Sequence, residues 1–163
     1  MNVTLVPMKE SHWPRVREIY LAGINGGNAT FETEVPTWEE WDAKHFDFAR
    51  LVALLQDDVK AWAALSPVST RAAYRGVAEN SVYVAPDMQG RGLGRLLLQA
   101  VILESEANGI WTLQTSIFPE NIPSIELHRR CGFREVGYRE RISKLNGLWR
   151  NTVLLERRSA LMD

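Results

Sequence analysis

Three glycines at alternate positions constrain this chain more than any other feature. Gln89-Gly90-Arg91-Gly92-Leu93-Gly94 follows the apolar run Ser81-Val82-Tyr83-Val84-Ala85-Pro86. It opens a segment in which Leu93, Leu96, Leu97, Ala100, Val101 and Ile102 recur at helical spacing. Glycine costs a helix about 1 kcal/mol relative to alanine, so a cluster of them at a helix start needs a reason. A strand that enters a helix through glycines is a physical solution to anion binding. The first helical N–H groups lack intrahelical partners, and the helix dipole puts partial positive charge beside them. Phosphate oxygens reach those groups only where side chains stand clear. Arg91 and Arg95 flank the turn and add positive charge. A Walker loop is excluded because glycine, not Lys-Ser/Thr, follows Arg91, and a dinucleotide fingerprint is excluded because Arg95 stands where its third glycine belongs. What remains in full is Q-x-x-G-x-G from Gln89 to Gly94, with close helix–strand packing as the plainer use of the same glycines.

Around this turn the chain reads as alternating elements. "VTLVPM" is a strand, and Ser11 is placed to cap a helix running to about Ala22. The glycine-rich "GINGGNATFETEVP" is a long loop carrying Phe31, and Thr37 and Glu40 form a capping box for a helix with Trp38 and Trp41 on one face. "RLVALLQ" and "VKAWAALSP" form a hairpin turning at Asp57-Asp58. A polar connection over 68–80 leads to the strand "SVYVAP". After the glycine-opened helix come the strand "WTLQTSI", a short helix in "NIPSIELHRRCGF" stopped by Gly132, and the strands "REVGYRE" and "WRNTVLLERR". The helix between "SVYVAP" and "WTLQTSI" predicts that these two strands are parallel. The fold class is α/β, a mixed sheet in one domain over residues 1–163.

With 163 residues, of which 45% are hydrophobic and 24% charged, the chain has the balance of a soluble globular protein. A net charge of −1 and the lack of a long basic run argue against nucleic acid as a partner. No apolar run nears the roughly 20 residues a spanning helix needs, so no membrane is expected. The N-terminus has no signal-peptide pattern, and the single Cys131 excludes an internal disulfide; both point to the cytoplasm. His12 and His45 lack ligand spacing, so no metal is expected.

"SVYVAPDMQGRGLGRLLL" resembles the acetyl-CoA pyrophosphate loop of the GCN5-related N-acetyltransferases, and "NIPSIELHRRCGF" resembles that family's N-x-x-S-x-x-L-x-x-x-x-GF helix. "NATFETEVPTWEEW", "ALSPVSTRAAYRGVAENSVYV" and "NGLWRNTVLLER" are similar to its phosphinothricin and methionine-sulfoximine acetyltransferase branch. The resemblance runs from about Val3 to Arg158 and implies a mostly antiparallel sheet with a splayed parallel pair, flanked by helices. It implies acetyl-CoA as co-substrate, a small-molecule amine as acceptor, and a homodimer. In this resemblance the backbone of Val82, Tyr83 and Val84 meets the pantetheine arm, while Gln89, Gly90, Arg91, Gly92, Leu93, Gly94 and Arg95 hold the pyrophosphate. Asn121, which also suits an N-cap, and Ser124 touch the pantetheine. Glu79 takes the catalytic carboxylate's place, the Val84 N–H that of the oxyanion donor, and His128 stands where many relatives carry an acid tyrosine. Phe31, Arg71, Tyr74, Ser81 and Glu79 are the expected acceptor contacts, with Arg71 and Tyr74 on its acid head and Trp149 packed nearby or in the core. The chemistry implied is direct attack of a neutral α-amine on the thioester.

Overall fold

Alternation along the central strands divides the core in two. The computed structural model describes residues 1–163. Its strands are β1 (Val3–Pro7), β2 (Leu51–Leu55), β3 (Asp58–Pro67), β4 (Val77–Val84), β5 (Thr112–Ile117), β6 (Arg134–Leu145) and β7 (Leu148–Arg158). Its helices are α1 (Trp13–Gly26), α2 (Trp38–Lys44), α3 (Leu93–Ala107) and α4 (Ile122–Arg130). On β3, Ala61, Ala63 and Leu65 face a core completed by Leu97, Leu98 and Val101 of α3 and Ile125 of α4. Trp62 and Ala64 face the opposite core with Trp13, Val16 and Ile19 of α1 and Trp41 of α2. The period of two in the strand and the apolar stripe of each helix thus dictate a sheet covered on both faces.

The seven strands lie in the order β1-β2-β3-β4-β5-β7-β6. Only β4 and β5 are parallel, as the intervening α3 requires. Their ladder holds only from Val77↔Thr112 to Glu79↔Gln114. Beyond it β4 stays on β3 as far as Ala61↔Val84, and β5 stays on β7 as far as Ile117↔Val153. The two strands splay, and the gap between them is the main opening in the sheet.

Several boundaries differ from those expected. A 3-10 turn at Glu10–His12 precedes α1, so Ser11 is not the cap, and Pro14 sits in the helix's first turn. The helix passes Ala22 to end at Gly27, whose φ of 80° supplies the left-handed cap. Gly23 is kept inside it because a Cβ there would lie 2.7 Å from the Tyr83 ring. The β2–β3 turn falls on Gln56-Asp57, both at positive φ, one residue earlier than expected. β4 starts at Val77, so Glu79 is a strand residue and not part of a loop. β6 runs on to Leu145 and turns through Asn146-Gly147, at φ 50° and 82°, into β7. No helix is long and apolar enough to cross a membrane.

Candidate active site

The free edge of β4 is what the splay creates. Ala85 N–H donates to the Lys60 carbonyl at 2.8 Å, so residues 85 and 60 form a hydrogen-bonded pair. By antiparallel alternation the backbone groups of Val84, Val82 and Asn80 then point away from β3 and into the gap. Those of Tyr83 turn instead toward Trp62 of β3, which corrects its expected place on the pantetheine edge. Tyr83 contributes through its ring, stacked 4.8 Å from Trp62 and tilted against Tyr20 at 5.0 Å.

At one end of the gap lies the glycine turn. Gly90 and Gly92 have φ of 76° and 86°, a region that side chains strain. Gly92 caps α3 with no side-chain bond, which leaves the first N–H groups of the helix clear of covering atoms. Gly94 serves packing: a Cβ there would meet Leu127 of α4 at 3.2 Å. The three glycines therefore combine the anion-binding and packing explanations. Gln89, Arg91 and Arg95 are exposed around the turn, and Leu93 is buried beneath it.

At the other end lies a cavity of about 270 Å³ walled by β4, β5, α4 and the first loop. Phe31, Glu79, Ser81, Val82, Tyr83, Asn121, Ser124 and His128 all line it, bringing together eight of the residues singled out from sequence. A second opening of about 730 Å³ shares Glu32, Glu79, Ser81 and Tyr83 with it and extends toward α2. Glu79 thus sits where the two meet. Its side chain is exposed, yet crowding by protein atoms raises its carboxyl pKa, with Arg139 opposing the rise.

His128 is 3% exposed and has both ring nitrogens engaged. Nδ1 lies 2.7 Å from the Ser124 carbonyl, which only accepts, so Nδ1 carries the proton. Nε2 lies 3.0 Å from Asn80 Nδ2, which donates to it. Burial lowers the imidazole pKa, and the Ser124 bond partly offsets this. A neutral imidazole committed on both sides has no free proton, which removes the basis for His128 as general acid.

Asn121 makes two bonds, which leave one N–H of its amide and one lone pair free. Its Oδ1 accepts from the Ser124 N–H at 3.3 Å, capping α4, and its Nδ2 donates to the Asn28 carbonyl at 3.0 Å. Phe31 packs edge-on against Phe118 with centroids 4.8 Å apart. Arg71 and Tyr74 lie outside both cavities: they occupy an exposed 3-10 turn and its lead-in, with the guanidinium 5.5 Å from the tyrosine ring. The turn ends at Tyr74 and β4 begins at Val77. Trp149 is half exposed on the β6–β7 hairpin, beneath Lys144 at 4.9 Å, and belongs to neither core nor cavity.

Sequence reading missed Asn80, Thr152, Arg150 and Phe118. Asn80 directly follows Glu79 but faces the other side of its strand, and the remaining three join the site from elements distant in sequence. No cluster of three His, Cys, Asp or Glu side chains is placed to hold a metal ion.

A free strand edge that ends at a clear helix start fits the linear, amide-bearing and phosphate-bearing form of an acyl-CoA. The class defined is the acetyl-CoA-dependent N-acetyltransferase. Residues 13–133 match the acetyltransferase (GNAT) family, and the chain belongs to that family. It is 31% identical over 160 residues to a phosphinothricin N-acetyltransferase of Alcaligenes faecalis, covering 94% of this chain and 81% of that protein. It is 39% identical over 83 residues to an L-methionine sulfoximine/L-methionine sulfone acetyltransferase of Pseudomonas paraeruginosa, covering 51% of this chain and 48% of that protein. Among solved structures, a GNAT superfamily phosphinothricin acetyltransferase from Sinorhizobium meliloti in complex with acetyl-CoA superposes with a TM-score of 0.89. Identity there is 26%, over all of this chain and 93% of that one.

Proposed function

We propose that this enzyme acetylates the α-amino group of a small amino acid or a close analogue of the phosphinothricin, methionine sulfoximine or methionine sulfone type. The observation that carries the reading is Glu79, a carboxylate of raised pKa at the junction of the splay and the second opening. The named relatives give the substrate class its support.

Acetyl-CoA supplies the activated acetyl group as a thioester. The β4 edge at Val82 and Val84 holds the pantetheine arm, with Ser124 beside it, and Gln89 to Arg95 hold the pyrophosphate through the open N–H groups of α3. Glu79 accepts the proton of the acceptor amine, directly or through water, and its raised pKa makes it a better base than an ordinary carboxylate. The Val84 N–H faces the gap and donates to the carbonyl oxygen as negative charge grows there. Ser81 and Phe31 shape the acceptor's position. The amine attacks without an acyl-enzyme, and the tetrahedral intermediate collapses by breaking its C–S bond, so that coenzyme A leaves as a thiolate and takes its proton from solvent. Cys131 is half-buried, and its raised thiol pKa keeps it protonated.

The chain acts as one domain over 1–163, in the cytoplasm, as a homodimer. Exposed Val136, Tyr138, Ile142, Leu148 and Trp149 on the β6–β7 hairpin supply apolar surface for the second copy. Thiol release from acetyl-CoA, measured over phosphinothricin, methionine sulfoximine, methionine sulfone, ordinary amino acids, a polyamine and a short peptide, tests the substrate class. Turnover confined to the amino acids and their analogues is expected. Turnover on the peptide alone overturns the acceptor while leaving the acetyltransferase in place.

A further inference from the structure

The splay contains two buried polar atoms without a partner, Asn80 Oδ1 and Thr152 Oγ1. Asn80 is 4% exposed and Thr152 3% exposed, and both residues line the 270 Å³ cavity. Buried polar groups are almost always paired, and an unpaired one carries a desolvation penalty.

The orientation of the Asn80 amide follows from its neighbours. The Ser124 carbonyl fixes the proton on His128 Nδ1, which leaves Nε2 with a lone pair. Asn80 must present Nδ2 to that lone pair, so its other end is Oδ1, a pure acceptor. Phe133 packs edge-on against the imidazole with centroids 4.9 Å apart and holds the ring in plane. The chain Ser124–His128–Asn80 is therefore a directed relay of hydrogen bonds that ends in one acceptor oxygen.

We propose that Asn80 is a ligand-binding residue of the splay, whose Oδ1 takes an N–H donor of the bound reactants, and that His128 is the positioning residue that aims it. The inference rests on the splay being the acetyl-CoA site. Two reactants offer the required N–H group: the pantetheine amides of acetyl-CoA and the acceptor amine. It also gives His128 a role that needs no labile proton, in keeping with both of its nitrogens being engaged.

The test is calorimetric titration of acetyl-CoA, without acceptor, into wild type and Asn80→Ala, together with the acceptor KM of each from thiol release. If the donor is a pantetheine amide, acetyl-CoA binding weakens by about five- to tenfold, the scale of one lost hydrogen bond. If the donor is the amine, the acceptor KM rises by a similar factor and acetyl-CoA affinity holds. No change in either quantity overturns the proposal and leaves the oxygen to water. Failure of the wild type itself to bind acetyl-CoA would instead defeat the site on which the proposal rests.

Asn80→Asp keeps the shape, and with it an independent test should the alanine variant not fold. A carboxylate cannot donate to a neutral imidazole, so His128 must take up a proton to hold the substituted side chain, and its pKa rises. The arrangement is complete below that raised pKa and lost as pH climbs through it. Glu32, Glu79 and Tyr83 are the other titratable groups on the cavity, and all three are the same in variant and wild type. The affinity ratio of variant to wild type is therefore the readout. It is expected near one at about pH 6 and several-fold weaker at about pH 8.5, on either side of the range in which a histidine paired with a carboxylate titrates. A ratio independent of pH overturns the role of His128.

Discussion

The guanidinium of Arg150 lies 4.0 Å from the centroid of the Phe118 ring. From that position Nη1 donates to the Gly27 carbonyl at 2.9 Å, and Nη2 donates to Asn28 Oδ1 at 2.7 Å and Glu120 Oε2 at 3.3 Å. One side chain on β7 thus binds the first loop to the β5–α4 connection, and Asn121 adds a parallel tie through Asn28. The loop so held carries Phe31, which packs on the far side of this junction against the same Phe118.

Arg150→Ala is accordingly expected to raise the acceptor KM by tenfold or more while changing acetyl-CoA affinity little, because the glycine turn is remote. Lysine keeps the charge but not the planar fork that reaches three acceptors, and recovers only part of the loss. Steady-state kinetics with each substrate varied in turn checks this. An equal loss on both substrates would show that Arg150 supports the whole fold and not the loop.

The glycine turn separates two roles that sequence alone left joined. Gly92 sits at φ 86°, where a side chain costs roughly 1 kcal/mol or more. Gly92→Ala should lower stability by about that amount and weaken acetyl-CoA binding. A Cβ on Gly94 meets the tip of Leu127 at 3.2 Å, a flexible neighbour that can yield. Gly94→Ala is expected to be nearly silent, whereas Gly94→Val should spread α3 from α4 and cut the melting temperature. Thermal melts and titrations of the three variants decide between these assignments.

The order of elements was legible because each relied on a local signal. The Thr37–Glu40 capping box forms as written, with the Glu40 N–H donating to Thr37 Oγ1 at 3.2 Å. The alternation of β3 and the stripe of α3 were both plain in the residues. Lengths were less legible. Gly23 reads as a helix breaker until Tyr83 is seen against it, and Asn146-Gly147 reads as a loop until the two halves of the hairpin are paired. At the site, motif-borne residues converge on one gap. Arg71 and Tyr74 do not, because adjacency to Glu79 in sequence says nothing about which way a connecting turn folds. Arg150 and Thr152 lie within the branch-like stretch "NGLWRNTVLLER", but nothing local marks their roles, since the loop groups that Arg150 binds and the other walls of the cavity that Thr152 joins lie 24 or more residues away in the chain.

Burial of histidines sets an acid limit on stability. Burial lowers the pKa of both His128 and His45, and His45 Nδ1 donates to the Trp41 carbonyl at 2.6 Å. The folded protein therefore prefers both rings neutral, while the unfolded chain protonates them near pH 6.5. Below that value the unfolded state binds more protons, so stability is full above about pH 6.5 and falls as pH drops toward the lower native values. Urea midpoints across about pH 5 to 8 should show this loss. His128→Gln, measured in parallel, should flatten part of it; an unchanged slope would assign the acid loss to other groups.

The β6–β7 hairpin predicts an oligomer. Tyr138 is 56% exposed on the edge strand β6, and Trp149 and Leu148 are 50% and 70% exposed beside it at the start of β7. Open apolar edges of this kind invite pairing with another chain. Sedimentation is expected to give twice the chain mass, and Tyr138→Glu to halve it. A wild-type mass of one chain would reject the dimer.

Catalysis should turn on the ionisation of Glu79. Its pKa is raised chiefly by desolvation, so the carboxylate base is present above that raised value and lost as pH falls through it. The kcat profile is expected to rise with pH through an apparent pKa above the ordinary carboxylate value of 4.5. Glu79→Gln removes the base but keeps the shape of the strand, and should lower kcat by about 100-fold or more, the usual scale for a positioned general base. Acetyl-CoA affinity should hold, because the phosphate turn and the β4 edge are untouched. The limb of the pH profile assigned to Glu79 should vanish in the variant. Removing Arg139, which pulls the carboxyl pKa down, should move the limb of the parent enzyme to higher pH. If Glu79→Gln turns over normally, the proton passes directly to solvent and Glu79 serves only to orient the amine.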